Sequence, residues 1–220
     1  MIEFEELGFS ITFNSSAIID DEPENYLISI EGNILCTDDN DNEITAGKLK
    51  IFYVDIDGAA DAGYESTHIL DLEAATEPFY LALFDPKTSE FRQSVYDLVG
   101  EDIFGRNLLI LDRLEILPVY RGKKLGLACL YRCMQQYWHG CGLVALKCFP
   151  LQFEAVSEDK TRDEWRRSLE LNNLGKDHKH CRSKLQAYYE QLGFKKLRGT
   201  EIMALNPLHK QPTLEDLGFG

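Results

Sequence analysis

Apolar and polar positions alternate at the start of the chain. Phe9 to Phe13 and Tyr26 to Leu35 read as strands, and Lys48 to Asp57 forms a third through Leu49, Phe52, Val54 and Ile56. Between the last two lies D-D-N-D-N-E, Asp38 to Glu43, whose Asp and Asn residues predict a hairpin tip. It lacks the calcium-loop pattern. Gly58 to Gly63, G-A-A-D-A-G, reads as a loop. From Thr67 to Val99 the period turns helical. Two helices are expected there, broken near Asp85-Pro86, because proline fixes φ and cannot donate an N–H. Gly100 follows as a C-cap.

Asn107 to Leu117 is mostly apolar, as a central strand covered on both faces should be, and Pro118 ends it. Leu125, Cys129, Cys133 and Tyr137 then recur every four residues, which predicts an amphipathic helix ended by Gly140 and Gly142. Leu143 to Phe149 is another apolar strand. Ser157 to Leu192 is helical in pattern with an interruption near Gly175, and its second half carries the stripe Cys181, Leu185, Tyr188 and Leu192. Lys195 to Leu197 and Glu201 to Leu205 read as short closing strands. A strand–helix–strand order implies a right-handed crossover between parallel neighbours, so the class is α/β or α+β with a mixed sheet. Residues 1–206 read as one domain and 207–220 as a C-terminal tail.

Composition narrows the class of protein. The 220 residues are 44% hydrophobic and carry 37 acids against 23 bases, a net charge of -14. This is globular composition, which excludes a disordered chain, a collagen-like repeat and a disulfide-dense peptide. Residues 1–104 hold 24 acids and 4 bases, whereas 105–220 hold 13 and 19. The acidic total argues against nucleic acid as a partner. No apolar run reaches membrane-span length, and M-I-E-F-E-E has acids where a targeting peptide needs bases, so no membrane partner and a cytoplasmic location are expected. The six cysteines contain no C-x-x-C pair and read as free thiols. His178, His180 and Cys181 match no standard zinc spacing, so no metal is expected.

The chemistry lies in Leu114 to Ala128, L-E-I-L-P-V-Y-R-G-K-K-L-G-L-A. A buried strand ends, proline turns the chain, and a basic glycine-containing loop enters a helix. Helix N-termini present unpaired N–H groups and a positive dipole end, and glycine admits a phosphate close to the backbone. Arg121, Lys123 and Lys124 add charge. The spacing is neither a Walker loop nor a dinucleotide fingerprint. It resembles the acyl-CoA loop, Q/R-x-x-G-x-G/A, of the GNAT superfamily of acyl-CoA-dependent N-acetyltransferases, with Arg121 first and Gly126 last. Lys124 stands where the pattern has Gly. Downstream, Tyr189-Glu190-Gln191-Leu192-Gly193-Phe194 resembles that family's Y-E-x-L-G-F segment. The likeness covers about residues 107–205, the acyl-CoA-binding core, and leaves the acidic N-terminal half divergent. That family places two helices between its first and second strands, whereas here the helical stretch falls between the third and fourth.

The resemblance implies a GNAT-like α+β fold, a mostly antiparallel sheet with splayed parallel strands at the acyl-CoA site. It implies an enzyme moving an acetyl or short acyl group from acetyl-CoA or another acyl-CoA to a primary amine, a small molecule or a protein lysine or N-terminus. Backbone groups at Leu114, Glu115 and Ile116 would pair with the pantetheine arm. Amides of Gly122, Lys123, Lys124, Leu125, Gly126 and Leu127 would hold the diphosphate. Tyr189 matches the family's general acid, and Arg182 falls where many members carry a cofactor-contacting Asn. If the strand is regular, Asp112 shares a face with Leu108, Ile110, Leu114 and Ile116 and is the favoured base. Glu115, beside Arg113 on the other face, is its competitor. A bulge, common here in the family, would reverse the parity beyond it. The acidic half favours a cationic acceptor. Family members often pair, which allows a homodimer, although no sequence feature establishes one. The rival reading is a non-catalytic acyl-CoA-binding or protein-interaction module on the same scaffold.

Overall fold

A computed structural model describes residues 8–37, 41–154 and 160–219, with the backbone alone at 160–163. The strands are Gly8–Ser15 (β1), Leu27–Thr37 (β2), Glu43–Val54 (β3), Leu108–Ile116 (β4), Leu143–Lys147 (β5), Lys195–Lys196 (β6) and Ile202–Leu205 (β7). The helices are Ile56–Asp61 (α1), Ser66–Asp71 (α2), Glu77–Leu83 (α3), Gln93–Val99 (α4), Leu125–Tyr137 (α5), Lys160–Ser168 (α6) and His178–Glu190 (α7). One sheet holds all these strands in the order β1-β2-β3-β4-β5-β7-β6. Only β4 and β5 pair in parallel among the described strands, and α5 is their crossover. The fold is thus α+β, a mixed and mostly antiparallel sheet flanked by helices, as expected.

Two apolar layers cover the sheet. On one face Leu109, Leu111 and Val144 meet α5 through Leu127, Leu130, Cys133 and Met134, with Leu185 and Tyr188 of α7 beside them. On the other face Leu108, Ile110, Phe52 and Val54 meet the α1–α4 group through Ile69, Phe79, Leu83 and Val95. The alternation of β4 between two cores explains its continuous apolar run.

Four local readings change. Gly58 to Gly63 is largely helix α1: the Asp55 carboxylate accepts the Gly58 N–H at 2.9 Å and caps it, overriding the glycine content. The stretch 67–99 holds three short helices rather than two, with an Asp85–Ser89 turn and a Phe84–Phe91 bridge at the expected break. The 207–220 segment is docked, not trailing: Leu217 is 3% exposed in the α5-side core, and Leu214 and Phe219 pack beside it. Thr213 and Asp216 cap that turn reciprocally. Finally, β4 is not regular. Lys50 pairs with Arg113 while Ile51 pairs with Leu111, so Asp112 is an extra, bulged residue. The hairpin tip at 38–40 lies outside the described residues, as do 155–159 at the start of the long insert.

Candidate functional site

The bulge and the end of the parallel ladder shape the site together. Pairing of β4 with β5 stops at Leu111↔Leu146. Beyond it β4 follows β3 up to Ile116↔Gly47, while Lys147 of β5 pairs with Ile202 of β7. The two strands therefore part, and among the described residues no strand pairs with the β5-facing backbone edge of 112–116. A cavity of about 630 Å³ fills the opening, within the size range of small-molecule sites. Asp112, Leu114, Glu115, Ile116, Arg121, Gly122, Lys124, Leu125, Gly126, Leu127 and Tyr189 all line it. The expected residues that do not are Lys123 and Arg182.

The basic turn forms one wall. Gly122 has φ +77 with open space where a Cβ would stand, and Lys124 has φ +59. Lysine thus adopts the left-handed conformation that favours glycine. Its ammonium is drawn away to the docked C-terminus, donating to the Leu217 carbonyl at 2.7 Å. Lys124 caps α5, and its carbonyl accepts the Leu127 N–H at 2.8 Å, so that amide is already committed. Arg121 is committed as well. Its Nε donates to the Ile116 carbonyl at 2.8 Å and its Nη2 to the Leu169 carbonyl at 2.5 Å, tying the turn to the insert after α6. Gly126 is required by packing: a Cβ there would lie 2.5 Å from the Tyr188 hydroxyl and 2.9 Å from Leu114.

Tyr188 and Tyr189 of α7 also line the cavity. Burial raises the pKa of both, and for Tyr189 the neighbouring Cys148 and Tyr188 raise it further. Tyr189 is therefore protonated at neutral pH. Burial also raises the Asp112 pKa, against the pull of Arg113 and Lys50.

The bulge corrects the expected row of β4 side chains. Leu114 and Ile116 join the α5-side core with Leu109 and Leu111, not with Leu108 and Ile110. Asp112 stands alone at the change of parity. Glu115 is in a largely buried ion pair with Arg113. Its side chain is 11% exposed, accepts from Arg113 at 3.0 Å, and accepts from the Trp165 indole at 2.6 Å. Arg113 also binds Glu154, which Arg166 holds from α6 at 2.8 Å. Burial alone would raise the Glu154 pKa, but these two arginines bring it below its usual value. Lys48 lies over the Trp165 ring, 4.4 Å from its centroid. This network was not read from the sequence. A lone Trp in an otherwise charged helix, D-E-W-R-R, was the available signal.

Arg182 is placed elsewhere than expected. It pairs with Glu201 at 2.9 Å, near the closing strands. Among the described residues no group of three or more His, Cys, Asp or Glu is arranged to hold a metal ion. All six cysteines are free. No helix among the described residues is long and apolar enough to cross a membrane.

No protein-family model, curated protein or solved structure matches this chain. The functional reading therefore rests on the residues and on the geometry of the cleft. The walls carry five cations, Arg113, Arg121, Lys124, Lys147 and Lys184, against the carboxylates Asp112 and Glu115. In a chain of net charge -14, that lining suits an anionic ligand with an apolar arm.

Proposed function

We propose that the protein is a GNAT-type N-acyltransferase that moves an acetyl or short acyl group from acyl-CoA to a primary amine. One observation carries the reading. The cleft between the parted β4 and β5 has the R-G-K-K-L-G turn in one wall and Tyr189 in another. An extended, anionic donor fits it. The edge of 112–115, which no described strand pairs, can hydrogen-bond an amide-bearing arm, and the open backbone at Gly122 can admit a phosphate. The six free thiols support a reducing, cytoplasmic setting.

The amine nitrogen bonds to the thioester carbon, and the carbon–sulfur bond breaks to give amide and CoA thiolate. Asp112, directly or through water, takes the proton lost by the amine. Its raised pKa suits a base better than an ordinary carboxylate does. Tyr189, held protonated, gives its proton to the thiolate. Glu115 is assigned to holding Arg113 and Trp165 rather than to proton transfer. The excess of acid in 1–104 supports a cationic acceptor.

A non-catalytic acyl-CoA-binding module is the second reading, favoured by the commitment of Arg121 to two carbonyls and of Arg182 to Glu201. An amine screen that follows thiol release separates the two. The enzyme reading predicts turnover that falls about 10²-fold in Tyr189→Phe with acetyl-CoA affinity unchanged. It also predicts a KM for the cationic acceptor that rises with salt. Tight acetyl-CoA binding without turnover on any amine would favour the module.

A further inference from the structure

Gly126 and Tyr188 are matched to each other. A Cβ at Gly126 would lie 2.5 Å from the Tyr188 hydroxyl, so the space of a side chain in the first turn of α5 is filled by a hydroxyl brought from α7. The Leu114 side chain closes the same space from β4, at 2.9 Å. Packing alone does not call for a hydroxyl here. The stripe Cys181, Leu185, Tyr188 and Leu192 is otherwise apolar, and phenylalanine would fill the volume of the ring. Tyr188 nevertheless lines the cavity beside the basic turn.

The donors of the turn are directed elsewhere at this point. Arg121 gives its hydrogens to the Ile116 and Leu169 carbonyls, and Lys124 gives one to the Leu217 carbonyl. The Leu127 N–H is bonded to the Lys124 carbonyl. That same amide also lies close enough to the phenol oxygen of Tyr188 to lower its pKa, but burial outweighs it and the pKa is raised. The hydroxyl is therefore protonated at neutral pH. An oxygen that accepts from an amide still has its own hydrogen to give. Tyr189 is set apart from the turn. Its ring lies 5.7 Å from that of Tyr188 at 67°, and its pKa responds to Cys148, at the end of β5.

We propose, resting on the acyl-CoA reading, that Tyr188 is a donor-binding residue whose hydroxyl hydrogen-bonds a diphosphate oxygen of acyl-CoA beside the first turn of α5. The two adjacent tyrosines then have separate tasks. Tyr188 holds the anionic end of the donor, and Tyr189 protonates the leaving thiolate. Gly126 is glycine to admit the hydroxyl, and the diphosphate meets α5 through that hydroxyl. A hydroxyl donating to an ionised oxygen belongs to the stronger, charge-assisted class of hydrogen bond.

The test is calorimetric titration of the full chain with two probes. One is acetyl-CoA, and the other is S-acetylpantetheine, which has the same arm and thioester but no phosphate. Tyr188→Phe is expected to weaken acetyl-CoA about tenfold, the loss of one hydrogen bond to a charged group. It is expected to leave S-acetylpantetheine unchanged. In steady-state assays the Tyr188→Phe loss falls on the KM for acetyl-CoA, whereas the Tyr189→Phe loss falls on kcat. Phenylalanine keeps the ring, and thermal melting checks that the fold is kept. Equal weakening of both probes puts the contact on the pantetheine arm and overturns the proposal. So does an acetyl-CoA affinity that Tyr188→Phe leaves unchanged. A wild-type protein that binds neither probe overturns the acyl-CoA reading itself, and this proposal with it.

Discussion

Asp112 is the residue whose environment most depends on its neighbours. As the extra residue of the β4 bulge it is partly removed from water, and burial outweighs Arg113 and Lys50 in raising its pKa above 3.8. The sign of its linkage to folding follows. At strongly acid pH the carboxyl is protonated in both states and contributes nothing. As pH rises the unfolded chain ionises first, and the native state loses relative stability until pH passes the raised native value. Asp112→Asn removes that loss. It is therefore expected to raise the melting temperature at neutral pH and to leave it unchanged at strongly acid pH, as read by calorimetry. A variant that melts lower at neutral pH would show that the ionised carboxylate is favourably held. The sequence pattern sets Asp112 in one regular row with Leu108, Ile110, Leu114 and Ile116, a row that the bulge breaks; the family resemblance raised a bulge, but the pattern of the strand did not. A bulge is fixed by pairing with β3, and no periodicity within one strand reports it. Arg182 illustrates the same limit: its partner Glu201 is 19 residues away and joins it only when β7 closes the sheet.

At the level of elements, the meeting of α5 with α7 sets the shape of the cleft. Gly126 sits in the first turn of α5, where a Cβ would collide with the Tyr188 hydroxyl and with Leu114. Gly126→Ala is expected to destabilise the fold by about 1–3 kcal/mol, the usual cost of overpacking. It should also weaken acetyl-CoA binding, because the basic turn moves with the helix end. Adding Tyr188→Phe removes the nearest colliding atom and should recover part of the loss in denaturant titrations. Equal losses in the single and double variants would mean that Leu114, not Tyr188, limits the approach. The α5 and β4 boundaries were legible because long runs with one period leave little choice, as Leu125–Tyr137 and Leu108–Ile116 show. The short helices α1 to α3 were less so. Six or seven residues hold fewer than two full turns of pattern, and caps such as Asp55 decide the outcome. The C-terminal turn was legible in principle, since T-L-E-D is a capping sequence followed by the apolar Leu217 and Phe219.

Across the whole molecule, charge and topology divide the work. The acidic first half supplies β1 to β3 and the helices of one sheet face. The basic second half supplies the parted strands, the turn and α7. The insert between β5 and α7 holds the cleft side through Trp165 to Glu115 and the Leu169 carbonyl to Arg121, and meets the first half where Lys48 lies over the Trp165 ring. The central claim is that the cleft between β4 and β5 is a seat for acyl-CoA. Calorimetric titration of the intact protein with acetyl-CoA tests it most directly. The account predicts one site with a dissociation constant of micromolar order, about -8 kcal/mol, weakened by salt because the lining is cationic. No heat of binding at millimolar acetyl-CoA would contradict the claim and leave the cleft to a ligand of other chemistry.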